Sequence, residues 1–204
     1  MTPASEFDPQ PAGTFWMLNL EEPLPDDLKP RLQARFERVN AEAALALSQA
    51  MGLEEPALAL ERFAAGRRCY VAWVEGTLAA YGWVTFDEEG IGELGLRIRL
   101  GPGEAYIWDC ATLLAYRGQR LYPALLVYIS SELRAQGFRL ALIGADSDNV
   151  ASQKGMILAG FQPVADMFRM PGQPNHRLCL RGRPGAPEQL VSHIRQALSG
   201  DEVG

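Results

Sequence analysis

Hydrophobic and polar residues alternate along the chain in patterns typical of strands and helices. The apolar stretch at residues 14–20 (T-F-W-M-L-N-L) predicts a first strand. After the acidic Pro25-Asp26-Asp27, which suits a first helical turn, apolar residues at three- to four-residue spacing predict a helix that ends near residue 51. This apolar face comprises Leu28, Leu32, Phe36, Val39 and Ala43. A second helix is predicted at residues 56–65.

The middle of the chain has the composition of strands and turns. Residues 69–74 and 78–86 are rich in β-branched and aromatic side chains, and the two-residue turn Glu75-Gly76 between them predicts a hairpin. A turn is predicted at residues 87–90 and a further strand at residues 93–100. The breaker Gly101-Pro102-Gly103 separates this strand from the next one, at residues 104–114.

The second half of the chain alternates helices and strands. Helices are predicted at 123–136 and 149–159, and strands at 138–145, 162–170 and 175–181, with a short amphipathic helix at 187–198. Because a helix joins the strand at 104–114 to the strand at 138–145, these two strands are expected to be parallel. The fold class is therefore α/β (α+β), with a mixed sheet and helices on both faces.

Length and composition indicate one domain with short extensions. The chain has 204 residues, enough for a single core. Residues 1–13 are rich in Pro, Ala and Gly and predict a flexible N-terminal arm. Residues 14–182 are expected to form the domain, and residues 183–204 a C-terminal helix and tail.

Charge and cysteine usage narrow the range of partners. The net charge of −6 argues against a broad nucleic-acid-binding surface, although a small basic pocket remains compatible with it. No window has the apolar length of a membrane span, so no membrane partner is expected. Three separated cysteines and the lack of a secretory signal favour a cytoplasmic location. With two distant histidines, no metal site is predicted.

The first candidate binding motif lies where the strand at 104–114 leads into the next helix. Its sequence is Y-R-G-Q-R-L-Y-P-A-L-L. Backbone N–H groups at a helix N-terminus favour an anion, and Arg117 and Arg120 add positive charge. This arrangement suits a pyrophosphate. The alternative is an ordinary capped turn with solvated arginines, and the loop by itself does not decide between the two.

Three pieces in order strengthen the first interpretation. The first is W-D-C-A-T running into the Arg-Gly loop, the second is the apolar strand R-L-A-L-I-G-A, and the third is N-V-A-S-Q-K-G-M-I-L-A-G-F at residues 149–161. Together they resemble the GNAT acetyltransferase superfamily, most clearly over residues 105–161. The resemblance implies a mostly antiparallel sheet of about seven strands with a parallel central βαβ unit.

The resemblance also implies a co-substrate, acetyl-CoA or another acyl-CoA, and no metal. It would lie in a cleft between the strands at 104–114 and 138–145, which splay apart in this family. The pantetheine arm would pair with Cys110, Ala111 and Thr112. The loop around the pyrophosphate would comprise Arg117, Gly118, Gln119, Arg120, Leu121 and Tyr122. Asn149 and Ser152 would face the pantetheine or acyl end, although a helix cap and an exposed polar residue are the alternatives.

Two positions depart from the family pattern. Arg120 and Tyr122 stand where the loop usually has Gly and Gly or Ala, so φ of Arg120 is expected to be negative, with its guanidinium on a phosphate. The family often has a tyrosine seven residues after the asparagine as the proton donor to the thiolate. Here that position is Met156, which cannot donate a proton.

The candidates for the catalytic base are Asp109, Tyr106 and Glu93. Strand alternation places Asp109 and Tyr106 on opposite faces, so only one is expected to face the cleft. The resemblance implies a direct attack of an amine of a small molecule or peptide on the thioester, through a tetrahedral intermediate, and is compatible with a homodimer. A non-catalytic acyl-CoA-binding regulatory domain is the main alternative. A third, a charged tRNA as donor, is disfavoured by the acidic pI of about 5.0.

Overall fold

The structure, a computed structural model, describes residues 9–91, 96–169 and 178–198. The strands are β1 Gln10–Asn19, β2 Arg35–Val39, β3 Arg68–Val74, β4 Thr77–Thr85, β5 Glu88–Ile91, β6 Leu96–Arg99, β7 Glu104–Thr112, β8 Leu140–Asp146, β9 Gln162–Arg169 and β10 Leu178–Gly182. The α-helices are α1 Ala44–Ala50, α2 Ala57–Ala64, α3 Leu121–Ala135, α4 Val150–Leu158 and α5 Glu188–Ala197. Short 3-10 helices precede α1 (Ala41–Ala43) and follow β7 (Leu114–Tyr116).

Eight of these strands form one mixed sheet in the order β10-β9-β1-β8-β7-β4-β3-β2. The pair β7 and β8 is parallel and the other neighbours are antiparallel. The strands β5 and β6 form a separate antiparallel hairpin. The predicted fold class is therefore confirmed, including the parallel central βαβ unit built from β7, α3 and β8.

Alternating side chains bury both faces of the sheet. On one face, α3 and α4 cover a core that includes Tyr70, Ile107 and Met156; this side is called the α3 face. On the other, the α2 face, α1 and α2 pack over residues such as Val71, and α5 packs over Leu142. Helices on both faces are thus confirmed.

The predicted helix between residues 25 and 51 is wrong over most of its length, because residues 35–39 form the edge strand β2. Phe36 and Val39 lie three residues apart and so project from opposite faces of the strand. The Phe36 ring stacks on Tyr128 of α3 at 5.8 Å, whereas Val39 packs against the core under α1 and α2. A three-residue spacing is typical of one face of a helix. In the strand, however, Phe36 and Val39 pack into different cores on opposite faces of the sheet.

Other boundaries also differ from the expectations. The turn predicted at residues 87–90 is largely part of β5, and the predicted strand at 93–100 is seen as β6, with residues 92–95 outside the described part. The first strand begins at Gln10, within the stretch predicted as a loose arm. The C-terminal helix is present as α5, which buries Val191 and Ile194 against the α2 face.

Candidate functional site

A gap opens between the two central parallel strands. The strands β7 and β8 are paired from Glu104 with Leu140 as far as Ile107 with Ile143. Beyond these residues β7 continues to Thr112 and β8 to Asp146 without pairing to each other. A cavity of ≈ 580 Å³ lies at this fork, so the strands diverge where the sequence predicted a cleft.

A β-bulge in β7 shapes the wall of this cavity. Opposite it, Tyr81 pairs with Ala111 and Trp83 with Trp108, so Asp109 and Cys110 together face the single residue Gly82. The extra residue, Asp109, has a left-handed backbone with φ 40°. A Cβ atom at Gly82 would lie 2.9 Å from the Cys110 Sγ, so the glycine makes room for the bulge.

The Asp109 side chain is held by an arginine from α2. Arg62 Nη1 donates to Asp109 Oδ2 at 2.5 Å, and the Tyr81 hydroxyl lies 3.5 Å from Oδ1. The Arg62 guanidinium stacks over Trp83 and Trp108, at 5.1 Å and 4.5 Å from the ring centroids. Asp109 is therefore an ion-paired carboxylate on the α2 face.

Tyr106 lines the same cavity as Asp109, so the expectation that only one of them faces the cleft is wrong. The bulge inserts a residue and breaks the two-residue alternation between them. The Tyr106 ring packs beside Phe15 of β1, with centroids 6.4 Å apart, on the α2 face. The third candidate, Glu93, lies outside the described residues.

The Arg-Gly loop leads into α3, and its backbone N–H groups lack hydrogen-bond partners within the described residues. Within the described part of the chain, no acceptor is found for the backbone N–H groups from Gly118 to Tyr122. The carbonyls of Gly118 and Gln119 instead point to Arg31, which donates to them from Nη1 at 3.3 Å and from its backbone N at 2.9 Å. These contacts hold the loop with its carbonyls on one side, which leaves the N–H groups at the helix N-terminus for an anion.

The arginines of the loop lie differently from expectation. Arg120 is exposed and has φ +57°, so the expected negative φ is wrong: an arginine adopts the left-handed backbone that the family's glycine would supply. Gly118 also has a positive φ, of 76°. The Arg117 Nε donates to the Thr112 carbonyl at 3.2 Å, which ties the loop back to the end of β7.

Tyr122 projects its side chain into the cavity. Its hydroxyl lies 3.0 Å from the Ser152 Oγ of α4, and burial raises the pKa of this tyrosine. Asn149 caps α4, because its Oδ1 accepts from the Ser152 backbone N–H at 3.1 Å, and both α4 residues line the cavity. Met156, by contrast, is fully buried under the α3 face.

The remaining predicted residues lie at the margins of the cavity. Cys110 lines it, and burial together with the adjacent Asp109 raises the pKa of its thiol. Ala111 and Thr112 continue β7 and pair with β4, on the strand edge opposite the gap. Leu121 is buried in the core with 1% of its surface exposed, so only its backbone is available to the loop.

Sequence reasoning missed several residues of the site because their neighbours are distant in the sequence. Arg31 lies far before the loop that it contacts and Arg62 far before Asp109 of β7, and nothing in their local pattern marks them. Phe15 from β1 and Ile91 from the β5–β6 hairpin also line the cavity. The predicted motifs form one side of the site, and these residues complete the other.

The charges at the cavity are few. Arg62, Asp109 and Asp146 line it. Among the described residues there is no group of three or more His, Cys, Asp or Glu side chains arranged to hold a metal ion. Within the same ranges, no helix is long and apolar enough to cross a membrane.

The chain belongs to the GNAT family of acetyltransferases. The model described as "Acetyltransferase (GNAT) family" matches residues 33–156, which extend from the approach to β2 into α4. The match includes the loop, the bulge and Asn149. It does not include β1, β9 or β10, so Phe15 and its strand are outside the matched segment.

Solved structures show the same fold at low sequence identity. A GNAT-family acetyltransferase from Colwellia psychrerythraea is 16% identical, with a TM-score of 0.55, over 76% of this chain and 54% of that one. A putative GNAT-family acetyltransferase from Novosphingobium aromaticivorans is 15% identical, with a TM-score of 0.51, over 80% of this chain and 65% of that one. A GCN5-related N-acetyltransferase from Sphaerobacter thermophilus is 16% identical, with a TM-score of 0.55, over 87% and 54%.

These likenesses show the fold alone. The chain spans about half to two thirds of the length of those three proteins. Among curated protein sequences, none matches this chain.

Proposed function

We propose that the protein is an acyl-CoA-dependent N-acyltransferase that transfers an acetyl group from acetyl-CoA to an amine of a small molecule or peptide. One observation carries the proposal: the gap between β7 and β8 lies between the N–H groups of the loop at the start of α3 and the cavity. A long, thin, phosphorylated donor fits such a path. Membership of the GNAT family supports the reaction class.

The loop would hold the pyrophosphate of the donor. Its free N–H groups stand at the N-terminus of α3, where the helix dipole favours negative charge. The exposed side chain of Arg120 is available to add a charge-assisted contact. Arg31 would act indirectly, because its two hydrogen bonds fix the orientation of the loop.

The pantetheine arm would run along β7. Past Ile107 the edge of β7 that faces β8 has no strand beside it, so the backbone there is free to pair with the amides of the arm. Cys110, Ala111 and Thr112 lie on this stretch. The thioester would then reach the cavity at the bulge.

The amine would approach from the α2 face. Among the described residues that line the cavity there are two carboxylates, Asp109 and Asp146, and one cation, Arg62, which favours an acceptor with positive charge before it loses a proton. The neutral amine attacks the thioester carbonyl directly. Asp109, Tyr106 and Glu93 remain the candidate bases, and Asp109 would have to loosen its ion pair with Arg62 to accept a proton.

The test combines binding and turnover. Calorimetry with CoA is expected to show binding that weakens with salt, and acetyl-CoA with a panel of cationic amines is expected to release free thiol. Asp109→Asn keeps the size of the side chain and its tolerance of a positive φ, and is expected to lower kcat by about 100-fold if this carboxylate is the base. The absence of CoA binding would contradict the proposal.

A non-catalytic acyl-CoA-binding role is the second candidate. Two observations favour it: Met156 lies in the core, and the Asp109 carboxylate is already engaged by Arg62. This role predicts CoA binding without thiol release for every acceptor in the panel. Thiol release that depends on acceptor concentration would exclude it.

A further inference from the structure

Hydroxyl groups reach the cavity from both faces of the sheet. Tyr106 lies on the α2 face beside Phe15, where the acceptor would enter. Tyr122 and Ser152 reach it from α3 and α4, on the side of the phosphate-binding loop. When the thioester breaks, the sulfur stays with the donor and so withdraws toward this second side.

The position of Tyr122 is fixed by close packing and by hydrogen bonding. Its ring lies against the backbone of α4 at Gly155, where a Cβ atom would be only 2.4 Å from the tyrosine Cδ1. Its hydroxyl is 3.0 Å from Ser152 Oγ. Ser152 is itself held, because its backbone N–H donates to Asn149. The hydroxyl is therefore a preorganised group at the cavity wall.

The side chain spans the path expected for the donor. Tyr122 begins in the first turn of α3, and Cys110 belongs to the bulge of β7 on the other side of the gap. Both residues line the one cavity. The tyrosine thus reaches from the helix that holds the loop to the strand edge where the pantetheine arm would pair.

We infer that the Tyr122 hydroxyl, held by Ser152, donates the proton to the thiolate of CoA as it departs; this inference rests on the proposed function. The amine nitrogen forms a bond to the carbonyl carbon, the carbon–sulfur bond breaks, and the sulfur takes the proton from Tyr122 Oη. The amine loses its proton to the base, which releases it to solvent, and Tyr122 Oη regains a proton from solvent water. The products are the amide and the free thiol, with no net change in the tyrosine.

The local environment suits this role. Burial raises the pKa of Tyr122 above its usual value of about 10, so the phenol is protonated before each turnover. A hydrogen bond from Ser152 lowers the same pKa, and this bond would stabilise the phenolate while it lasts. Ser152 is therefore a positioning residue for Tyr122.

The experiment follows the thiol of bound CoA, which needs no acceptor. CoA labelled with carbon-13 next to the sulfur is bound to the protein and titrated with base by NMR. A hydroxyl that donates to the sulfur favours the thiolate and lowers the pKa of the bound thiol. In Tyr122→Phe, which keeps the ring against Gly155, we expect that pKa to rise by about one unit. Ser152→Ala is expected to give a smaller rise.

A matched control and a second readout separate this role from a structural one. Tyr128→Phe changes a tyrosine of the same helix that packs on Phe36 and Tyr70 away from the cavity, and should leave the titration unchanged. In turnover, Tyr122→Phe should lower kcat at least about tenfold with the KM for acetyl-CoA unchanged.

The measurements distinguish a failure of the proposed function from a failure of the inference about Tyr122. If wild-type protein does not bind CoA, the proposed function is wrong. If CoA binds but its thiol titrates identically in wild type and Tyr122→Phe, the inference is overturned and the proposed function stands. If Tyr122→Phe raises KM with kcat unchanged, the hydroxyl serves binding only, and the inference is again overturned.

Discussion

The aromatic ring of Tyr122 in α3 lies directly on the backbone of α4 at Gly155, where α4 has no side chain. A Cβ atom at position 155 would be 2.4 Å from the tyrosine Cδ1 and 2.7 Å from Cε1. Non-bonded carbon atoms do not approach one another this closely, and therefore the Tyr122 ring in this position requires glycine at position 155. The close approach also brings Ser152, one turn earlier on α4, to the tyrosine hydroxyl.

The first prediction concerns this contact. Gly155→Ala is expected to lower the free energy of unfolding by about 1–2 kcal/mol, because the cost of overpacking exceeds the gain in helix propensity. In a Tyr122→Ala background the same change should cost nothing or even stabilise, since the ring is gone. Denaturant unfolding of the four proteins measures the coupling. Equal effects of the glycine change in both backgrounds would show that the ring does not constrain position 155.

The loop provides a second prediction, in which substitutions at two positions change the stability of the fold in opposite directions. Arg120 has φ +57° and Gly118 φ +76°. Arg120→Gly should stabilise the fold by up to about 1 kcal/mol because glycine adopts this backbone without strain, and Gly118→Ala should destabilise it by about 1 kcal/mol. Both are measured by thermal unfolding. A loss of stability in Arg120→Gly would mean that the arginine side chain stabilises the loop more than its backbone strains it.

The same Arg120 variant tests the phosphate contact. If the guanidinium binds the pyrophosphate, CoA affinity in Arg120→Gly should fall and its dependence on salt should weaken. The Arg134→Gln variant, which changes an arginine in the last turn of α3, is the control. Unchanged CoA binding in Arg120→Gly would indicate that the backbone amides suffice.

Cysteine reactivity provides a third prediction. Burial, together with the neighbouring Asp109, raises the pKa of Cys110, and burial raises that of Cys69. At pH 8 both thiols are then more protonated than an ordinary cysteine, and the thiolate is the form that reacts. We expect iodoacetamide to modify the exposed Cys179 first, as followed by mass spectrometry.

The control for this experiment is the unfolded protein. In denaturant the three cysteines should react at similar rates because burial is lost. Rapid modification of Cys110 in the folded protein would contradict the assignment of a raised pKa. Slowing of that reaction by CoA would place the thiol on the donor's path.

The fourth prediction concerns the hairpin β5–β6, which forms part of the cavity wall. Glu89 is buried and accepts two hydrogen bonds from Arg67, at 2.5 Å from Nε and 2.9 Å from Nη2. Glu89→Gln removes the charge that the arginine faces, and hydrogen exchange in the hairpin should speed up about tenfold.

The neighbouring Glu88 supplies the matched control. It pairs with Arg97 and Arg99 on the exposed side of the same hairpin, so Glu88→Gln should change exchange little. Similar effects of the two substitutions would show that burial of Glu89 does not strengthen its ion pair.

The sequence predicted the elements whose signals are local. The Glu75-Gly76 turn, the apolar strand β8 and the helix α4 each depend on a few adjacent residues, and all are present. The loop was found because the family pattern concentrates its chemistry in consecutive positions.

The failures have a common physical origin in partners that are remote along the chain. The edge strand β2 was predicted as a helix because Phe36 and Val39 serve cores on opposite faces, which no local periodicity reveals. The strand alternation failed at Asp109 because the bulge depends on Gly82 across the sheet. Arg62 was missed because its ion-pair partner, Asp109, is 47 positions away in the sequence.

The place of β1 has a consequence for how the chain is made. This strand is synthesised before both of its neighbours, β8 and β9, which follow more than a hundred positions later. Until β8 and β9 have been synthesised, both edges of the apolar strand β1 are unpaired and can associate with other chains. Its Phe15 also lines the cavity. The side of the cavity that contains Phe15 is therefore completed only when β8 and β9 have paired with β1, so a molecule stalled before β9 would carry the Arg-Gly loop without a finished cavity.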